Sequence, residues 1–462
     1  MSRGFESHTL RTWGDPPRPQ KGMPVSETPD APSSSRRQPL ARHGIQSSPR
    51  PFRQIMTILG AVVAVVVLSV GAVGAFYVWD AARALSDNSV DIGDDVDALP
   101  AIGEIDGGVN MLVVGTDSCE GQDLKLFPRC AHDAGGERND VTMLVHISDN
   151  PRRVTVVSFP RDMIVPIPSC PTGDGGSYSA MSAQMINSSY MYGGLPCSVL
   201  TVEALTGIDI QYAAAIRWTG VINMSDAIGG VDVCVADDIS DKHTGLNLTA
   251  GTHTLVGAEA LQFLRIRHGI GDGSDLGRIS NQQQFMSSMV RKLQSDGVLA
   301  NPSVLFNLAT TAVAQVQSKQ LVLSDSLTNP QRMVSIAMAV KSVPYKDIVF
   351  VQYPTVYAPG GGRVLPVTDA ASVLFQALED NQPIKITGSA SSGYGVEVVG
   401  EAEAEPTPTP TPTGTATPSG TPDASETPDA SETPEPTETA VDLPSAITGS
   451  TAADVTCTQA QR

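Results

Sequence analysis

Val109-Asn-Met-Leu-Val-Val114, Thr142-Met-Leu-Val-His-Ile147 and Val154-Thr-Val-Val-Ser158 are three short runs of mostly apolar, β-branched residues. Runs of this length and composition predict buried strands. Residues 348–353 predict one late strand, and helical patterns follow the three runs at about 197–206, 216–228, 279–296, 301–318, 328–341 and 369–380. Strands covered by this many helices predict an α/β fold, with a central mixed β-sheet flanked by helices.

The segments on either side of this pattern have a different composition. The folded pattern occupies 107–395, and a linker at 80–106 precedes it. Residues 1–54 are basic and rich in Pro and Ser, which predicts a disordered tail. Residues 396–462 are rich in Pro, Thr and acidic residues and contain a duplicated TPDASE. This composition predicts a second disordered tail that acts as an extended spacer.

One segment has the length and apolarity of a transmembrane helix. Residues 55–79 contain no charge, and 25 residues exceed a bilayer core of about 30 Å at a rise of about 1.5 Å each. A cleaved signal peptide has a shorter apolar run and a shorter leader. Nine Lys or Arg and four Asp or Glu precede the segment. This bias predicts a cytoplasmic N-terminus and an extracytoplasmic location for the predicted domain.

Charge and cysteine content exclude several classes of protein. The chain has 30 Lys and Arg against 49 Asp and Glu, a net charge of −19, which argues against a nucleic-acid-binding surface. Six cysteines without close spacing imply no structural zinc. Cys119 with Cys130, and Cys170 with Cys197, flank loops and could form disulfides outside the membrane. For Cys234 we expect a buried thiol, and for Cys457 a free one.

Several arginines are expected to converge. In Phe263-Leu-Arg-Ile-Arg267, alternation on a strand places Arg265 and Arg267 on one face. In Asp275-Leu-Gly-Arg-Ile-Ser-Asn-Gln282, Arg278 and Gln282 share a helical face. Arg161 follows a predicted strand end, where ligands of α/β sheets bind. Such a cluster suits a pyrophosphate, although surface salt bridges in an acidic protein are an equally good interpretation of the spacing alone.

Two aspartates are placed to join these arginines. Asp117 follows the first quoted strand, and Asp140 begins the second. Two carboxylates beside arginines and an anionic ligand are typical of an Mg²⁺ site. Alternatively, one carboxylate could accept a proton from an attacking hydroxyl. Taken singly, each aspartate is more often a turn residue or a helix cap.

The order of the motifs resembles the LytR-CpsA-Psr family of bacterial wall-assembly proteins. The resemblance covers about 107–295 and rests on these motifs: Leu112-Val-Val-Gly-Thr-Asp117, Arg138-Asn-Asp-Val-Thr-Met143, Ser158-Phe-Pro-Arg-Asp162, Ile186-Asn-Ser-Ser-Tyr190 with Gly193-Gly194, Ile228-Gly-Gly-Val-Asp232, Arg265-Ile-Arg267 and Asp275-Leu-Gly-Arg278. The resemblance implies a membrane-anchored phosphotransferase that moves a glycopolymer from a polyprenyl-pyrophosphate carrier to peptidoglycan through a phosphodiester link.

The resemblance also implies roles for individual residues. Asp117 and Asp140 would hold Mg²⁺, with Mn²⁺ as the alternative metal. The diphosphate would be bound by Arg138, Arg161, Arg265, Arg267, Arg278 and Gln282. The chain departs from the family pattern at Asn139 and Val141, where Ser and Thr are usual, and at Asn281, where Arg is usual. The insertion between Asp117 and Asp140 puts the reach of Asp117 in question.

Other functions fit the same pattern. The chain could be a non-enzymatic binder or regulator of lipid-linked pyrophosphates, which would bind lipid without turnover. It could be a polyprenyl-pyrophosphate pyrophosphatase, in which water replaces the acceptor hydroxyl. The acceptor could also be the glycan of a surface protein. The sequence identifies neither the glycopolymer nor the oligomeric state.

Overall fold

The computed structural model describes residues 51–93, 108–132, 136–294, 301–391, 393–402 and 439–461. The helices in these ranges are α1 (Pro51–Asp87), α2 (Ser189–Thr206), α3 (Trp218–Ala227), α4 (Gly257–Arg265), α5 (Asp275–Gln294), α6 (Pro302–Gln317), α7 (Pro330–Lys341) and α8 (Thr368–Glu379). Short 3₁₀ helices occur at Pro128–His132, Ile186–Ser188, Asp325–Leu327 and Tyr345–Asp347.

The strands follow the same chain order. In the first half of the chain they are β1 (Ser89–Val90), β2 (Val109–Thr116), β3 (Asn139–Ile147), β4 (Val154–Phe159), β5 (Ile164–Ile167), β6 (Cys170–Pro171), β7 (Ser177–Tyr178), β8 (Met181–Met185), β9 (Tyr212–Ile216) and β10 (Val231–Val235). The later strands are β11 (Ile239–Asp241), β12 (Leu246–Leu248), β13 (Gly251–Leu255), β14 (Leu321–Ser324), β15 (Ile348–Gln352), β16 (Thr355–Tyr357), β17 (Val364–Pro366), β18 (Ile384–Lys385), β19 (Val396–Glu401), β20 (Val441–Asp442), β21 (Gly449–Thr451) and β22 (Asp454–Thr458).

The larger sheet has eight strands in the order β1-β14-β9-β2-β3-β4-β15-β21. The pairs β2–β3 and β3–β4 are antiparallel, whereas β2–β9 and β4–β15 are parallel. The sheet is therefore mixed, as predicted, and the three quoted runs form adjacent strands at its centre. All six residues of β4 are buried, because both faces of the sheet are covered. This explains why the quoted runs are apolar on both faces.

Successive side chains of the central strands enter two different cores. Leu144 packs with α2 and α8 residues on one face, and Met143 packs with α7 residues on the other. The alternation follows from the strand geometry, which points neighbouring side chains to opposite faces. A second sheet, β13-β10-β22-β19, packs against α5 through a separate core that contains Val233 and Phe285.

The chain divides into two units, residues 1–69 and 70–462. Helix α1 includes the predicted segment 55–79, and its stretch Ile55–Asp87 is long and apolar enough to cross a membrane. Exposed apolar side chains such as Leu59 and Leu68 cover it. Residues 1–50 of the predicted basic tail lie outside the described residues.

The predicted linker 80–106 is partly structured. Its first residues continue α1 to Asp87, and β1 then pairs with β14 at the edge of the larger sheet. The buried side chain of Leu85 packs into one of the two main cores. The linker prediction is therefore wrong for 80–90. Residues 94–107 lie outside the described part of the chain.

The C-terminal tail prediction is wrong at both ends of 396–462. Residues 396–401 form β19, and 439–461 contribute strands to both sheets. Strand β21 closes the edge of the larger sheet against β15, and β22 lies between β10 and β19. The composition misleads because the polar residues here, such as Thr458, are buried and hydrogen-bonded. Residues 403–438, with the duplicated TPDASE, lie outside the described residues.

All six cysteines form disulfides. The pairs Cys119–Cys130 and Cys170–Cys197 are those expected from the sequence. Cys234 pairs with Cys457 instead of remaining a thiol, and the expectation of a free Cys457 is wrong. The pairing joins positions 223 residues apart, so only the folded chain brings the two sulfurs together.

Candidate functional site

The two aspartates are brought together by the pairing of β2 with β3. Thr116, the last residue of β2, lies opposite Asn139, the first of β3. Just beyond this pair, the Asp117 amide donates to the Arg138 carbonyl at 3.1 Å, and the Arg138 amide donates to Asp117 Oδ1 at 2.8 Å. These two hydrogen bonds hold Asp117 beside the start of β3 in spite of the insertion between the strands.

The two carboxylates influence each other. Burial raises the pKa of Asp117, and the nearby charge of Asp140 raises it further, against the hydrogen bond from Arg138 and the charges of Arg129 and Arg138. A carboxylate next to another carboxylate is harder to ionise, and a cation or a transferred proton between them relieves the repulsion. The pair can therefore bind a cation, and one of the two carboxylates can accept a proton.

Arg161 and Arg278 lie in a buried ion-pair network with acidic residues. Arg161 Nη1 donates to Asp140 Oδ1 at 2.9 Å, and Arg278 Nη2 lies 2.6 Å from Asp275 Oδ1. Arg278 Nη2 also donates to the Asp140 carbonyl at 2.9 Å. Arg161 Nε lies 3.6 Å from both Asp162 and Asp275. Both predicted residues thus lie at the site with their charges already balanced by protein carboxylates.

The pKa values in this network reflect its carboxylates. Burial by itself lowers the pKa of Arg161, but Asp140, Asp275 and Asp162 together raise it. Burial and then Asp275 raise the pKa of Asp162, and Arg161, Arg267 and Arg278 oppose that shift. The acidic residues therefore hold Arg161 firmly charged, which fixes its position beside Asp140.

Residues 263–267 do not form the predicted strand. They include the end of α4, which terminates at Arg265, followed by an extended Ile266. Alternation suggested a strand because Leu264 and Ile266 are apolar, but the buried residues Gly257, Ala260 and Phe263 of α4 recur every three residues, as on one face of a helix. As a result Arg265 and Arg267 do not share one face of a strand.

Arg265 lies against Trp218, the first residue of α3. Its Cζ atom is 4.3 Å from the centroid of the Trp218 ring. Burial, followed by the charge of Arg129, lowers the pKa of Arg265 to about 10, with Arg278 adding to the effect and Asp140 and Asp117 opposing it. Arg265 makes no ion pair with any described residue. It is a half-buried cation that pairs directly with no described carboxylate.

Like Arg265, Arg138 and Arg129 make no ion pair within the described residues. Both side chains line a polar pocket of about 370 Å³ together with Asp117, His132 and Met191. The arginines of the site thus fall into two groups. Arg161 and Arg278 are paired internally, whereas Arg138, Arg265 and Arg129 are available to an added anion.

Two predicted site residues, Arg267 and Gln282, use their side chains to bind backbone carbonyls. Arg267 Nε donates to the Gly273 carbonyl at 3.1 Å, and the Arg267 charge acts on Asp162. Gln282 is buried, and its amide donates to the Leu264 carbonyl at 2.9 Å, where α4 ends. Gln282 therefore orients the segment that carries Arg265. Its role as a diphosphate ligand remains a prediction.

Sequence reasoning assigned no role to three residues of the site. Asp275 carried a weak signal, as an acidic residue in the first turn of a predicted helix, three positions before Arg278. Trp218 and Arg129 carried none, because their association depends on the tertiary contact of an insertion with α3.

Replacing Asp275 with asparagine is expected to destabilise the fold by about 3 kcal/mol, because Arg278 and Arg161 then lose a buried counter-charge. Asp275 is only 6% exposed, so water cannot replace the carboxylate. Chemical denaturation measures the change. Asp272→Asn is the matched control, since Asp272 is exposed and only caps the Ser274 amide. Equal stability losses in the two variants would contradict the importance of the network.

The fold and the site define a mixed α/β protein in which several arginines lie beside two neighbouring carboxylates. A family model described as the LytR_cpsA_psr family matches residues 80–376, and the chain belongs to this family.

Individual relatives share smaller parts of the sequence. The cell wall biosynthesis protein LcpA of Corynebacterium glutamicum is 26% identical over 397 residues, which are 80% of this chain and 72% of that protein. The polyisoprenyl-teichoic acid–peptidoglycan teichoic acid transferase TagU of Bacillus cereus is 33% identical over 162 residues, 35% of this chain and 49% of that protein. Among solved structures, the LytR-Csp2A-Psr enzyme from Actinomyces oris covers 63% of this chain and 94% of its own, with 22% identity and a TM-score of 0.45.

Proposed function

We propose that this protein transfers a glycopolymer from a polyprenyl-pyrophosphate carrier to peptidoglycan, forming a phosphodiester link in the cell envelope. The observation that carries the proposal is the position of Arg138 and Arg265, two guanidinium groups without described ion pairs, beside Asp117 and Asp140. Membership of the family and the names of the C. glutamicum and B. cereus relatives support it. The proposal includes a cytoplasmic N-terminus and an extracytoplasmic site, in keeping with the apolar stretch of α1.

The proposed reaction needs a nucleophile, a leaving group and a base. The oxygen of a peptidoglycan hydroxyl attacks the phosphorus attached to the glycopolymer. The bond from this phosphorus to the bridging oxygen breaks, and polyprenyl phosphate leaves with the electron pair. Asp117 takes the hydroxyl proton, because its raised pKa makes it a better base than an ordinary aspartate. Asp140 is less suited, since it already accepts a hydrogen bond from Arg161.

Arginines stabilise the charge that develops on the diphosphate. Arg265 and Arg138 are free to donate to phosphate oxygens, and the partial desolvation of Arg265 strengthens its electrostatic effect. Arg161 and Arg278 do not need to contact the diphosphate. Each donates a hydrogen bond to Asp140 and so fixes its position. The site is thus arranged before substrate binds, which lowers the reorganisation needed in the transition state.

Mg²⁺ fits this site, and Mn²⁺ is the alternative. The described residues contain no group of three or more His, Cys, Asp or Glu side chains that could hold a metal. Mg²⁺ commonly takes one or two carboxylates and completes its shell with phosphate oxygens and water. Asp117 and Asp140 supply that pair, and their mutual repulsion favours a cation. When bound, the metal would neutralise charge on the diphosphate oxygens.

The proposal predicts transfer by the full-length protein in detergent with Mg²⁺, a polyprenyl-pyrophosphoryl oligosaccharide and peptidoglycan fragments. We expect a phosphodiester-linked product by mass spectrometry, and its loss on addition of EDTA or in Asp117→Asn. Release of phosphorylated sugar without linkage would indicate the pyrophosphatase instead. Lipid binding without any product would indicate a non-enzymatic binder of lipid-linked pyrophosphates. A product formed only with a glycoprotein acceptor would indicate transfer to a surface protein instead of peptidoglycan. Any of these three results overturns the proposal.

A further inference from the structure

The insertion between β2 and β3 delivers an arginine that the sequence motifs do not include. Cys119 and Cys130 close the insertion, and Arg129 precedes the second cysteine. The Arg129 Cζ atom lies 4.5 Å from the centroid of the Trp218 ring. Arg265 contacts the same ring at 4.3 Å. One buried tryptophan therefore holds two guanidinium groups near each other, as a stacking partner that accepts cations on its ring.

The insertion is fixed to α3. Phe127 packs on Trp218 with 4.7 Å between ring centroids, in a small apolar cluster that also contains Leu261 and both cysteines. Gln122 is buried, and its side-chain oxygen accepts hydrogen bonds from the amide and hydroxyl of Thr219 at 3.2 and 2.7 Å. The position of Arg129 is therefore set by anchored neighbours on both sides.

Two like charges on one ring are unfavourable without an anion. The charge of Arg129 is the second cause, after burial, of the lowered pKa of Arg265. Neither guanidinium makes an ion pair within the described residues, and Arg129 lines the same pocket as Asp117 and Arg138. A diphosphate in this pocket would contact Arg129 and Arg138, and its negative charge would also offset the repulsion between Arg129 and the neighbouring Arg265.

We propose that Arg129 is a further diphosphate-binding residue of the site, presented by the disulfide-closed insertion and held in place by Trp218. The inference rests on the proposed function, because it assigns a residue to the same lipid-linked substrate. It also gives the insertion a role, because the insertion adds a third arginine beside Arg265 and Arg138. Trp218 is a positioning residue in this arrangement.

Binding of geranyl pyrophosphate to the full-length protein in detergent, measured by calorimetry, tests the inference. Arg129→Gln is expected to weaken binding about 10-fold, the loss of one charged hydrogen bond. Arg129→Lys keeps the charge without the planar fork and is expected to recover part of the affinity. Lys125→Gln is the matched control, since Lys125 is an exposed cation of the same insertion whose only described hydrogen bond is made by its backbone amide. We expect it to change affinity less than about twofold.

The outcomes separate this inference from the proposed function. If Arg265→Gln weakens binding while Arg129→Gln matches the wild type, the role of Arg129 is overturned and the proposed function stands. If Arg129→Gln and Lys125→Gln weaken binding equally, the loss reflects the net charge of the insertion and not a specific contact. That result would also overturn the role of Arg129. If the wild-type protein does not bind the probe, the proposed function fails and the inference fails with it. Thermal unfolding of each variant identifies any loss caused by misfolding.

Discussion

Arg265→Ala is expected to lower the rate of glycopolymer transfer by about 100- to 1000-fold, the usual effect of removing one donor to a developing oxyanion. Arg265 is a half-buried arginine of the site that forms no ion pair with a described carboxylate. Its charge therefore acts on the substrate and not on a protein partner. Initial rates with the lipid-linked oligosaccharide, at saturating acceptor, measure the loss.

The same substitution is expected to leave the fold almost unchanged. The desolvation of Arg265, visible in its pKa of about 10, already opposes folding. Removing the side chain relieves this cost and loses only the contact with Trp218, worth about 0.5–2 kcal/mol. Lys385→Ala is a suitable control, since Lys385 pairs with Asp442 where both side chains are 67% exposed. If Arg265→Ala retains activity within threefold of the control, our assignment of the site is wrong.

Truncation after Ala402 is expected to abolish stable folding or to lower the melting temperature by more than about 10 °C. It removes β21 from the larger sheet and β22 from the centre of the smaller one. Leu443 and Ile447 are fully buried, and each contributes about 1.5–3 kcal/mol. Loss of the Cys234–Cys457 disulfide removes about 2–5 kcal/mol more. The total approaches the whole stability of a typical domain, about 5–15 kcal/mol.

The truncation also affects the site through α5. Thr458 donates to Asn281 and Gln284, two buried side chains of the helix that carries Arg278. Without β22 the side-chain oxygens of Asn281 and Gln284 lose the Thr458 hydroxyl, and the helix loses a neighbour along its buried face. Deletion of 421–432, which removes both TPDASE copies, is the control, and we expect an unchanged melting temperature. A truncated protein as stable as this control would show that the C-terminal strands are dispensable.

The central strands were predictable because their signal is local. A strand buried on both faces must be continuously apolar, and β4 meets that requirement within six residues. The same holds for α3, α5, α6, α7 and α8, which lie close to their predicted bounds, and for the apolar stretch of α1. Helix α2 begins eight residues earlier than predicted, and α4 was not predicted. The disulfides at Cys119 and Cys170 were predictable because each closes a short loop.

The candidate site was predictable as a set of residues but not as an arrangement. The motifs named Asp117, Asp140, Arg161, Arg265 and Arg278, and all five are electrostatically coupled in the structure through shared neighbours. The motifs did not separate the arginines that carboxylates neutralise from those left available. That division depends on Asp275, which lies 114 residues from Arg161 in the chain.

The sequence by itself determined the central strands, most of the helices, the apolar segment for a membrane and the candidate arginines, since each depends on the order of neighbouring residues. Only the tertiary structure decided that residues 439–461 complete both sheets, that Cys234 pairs with Cys457, and that Arg129 and Arg265 meet on Trp218. These features join distant segments whose polar composition gives no local signal. They form because burial in the folded chain pairs hydrogen-bonding groups, sulfurs and an aromatic ring that are far apart along the sequence.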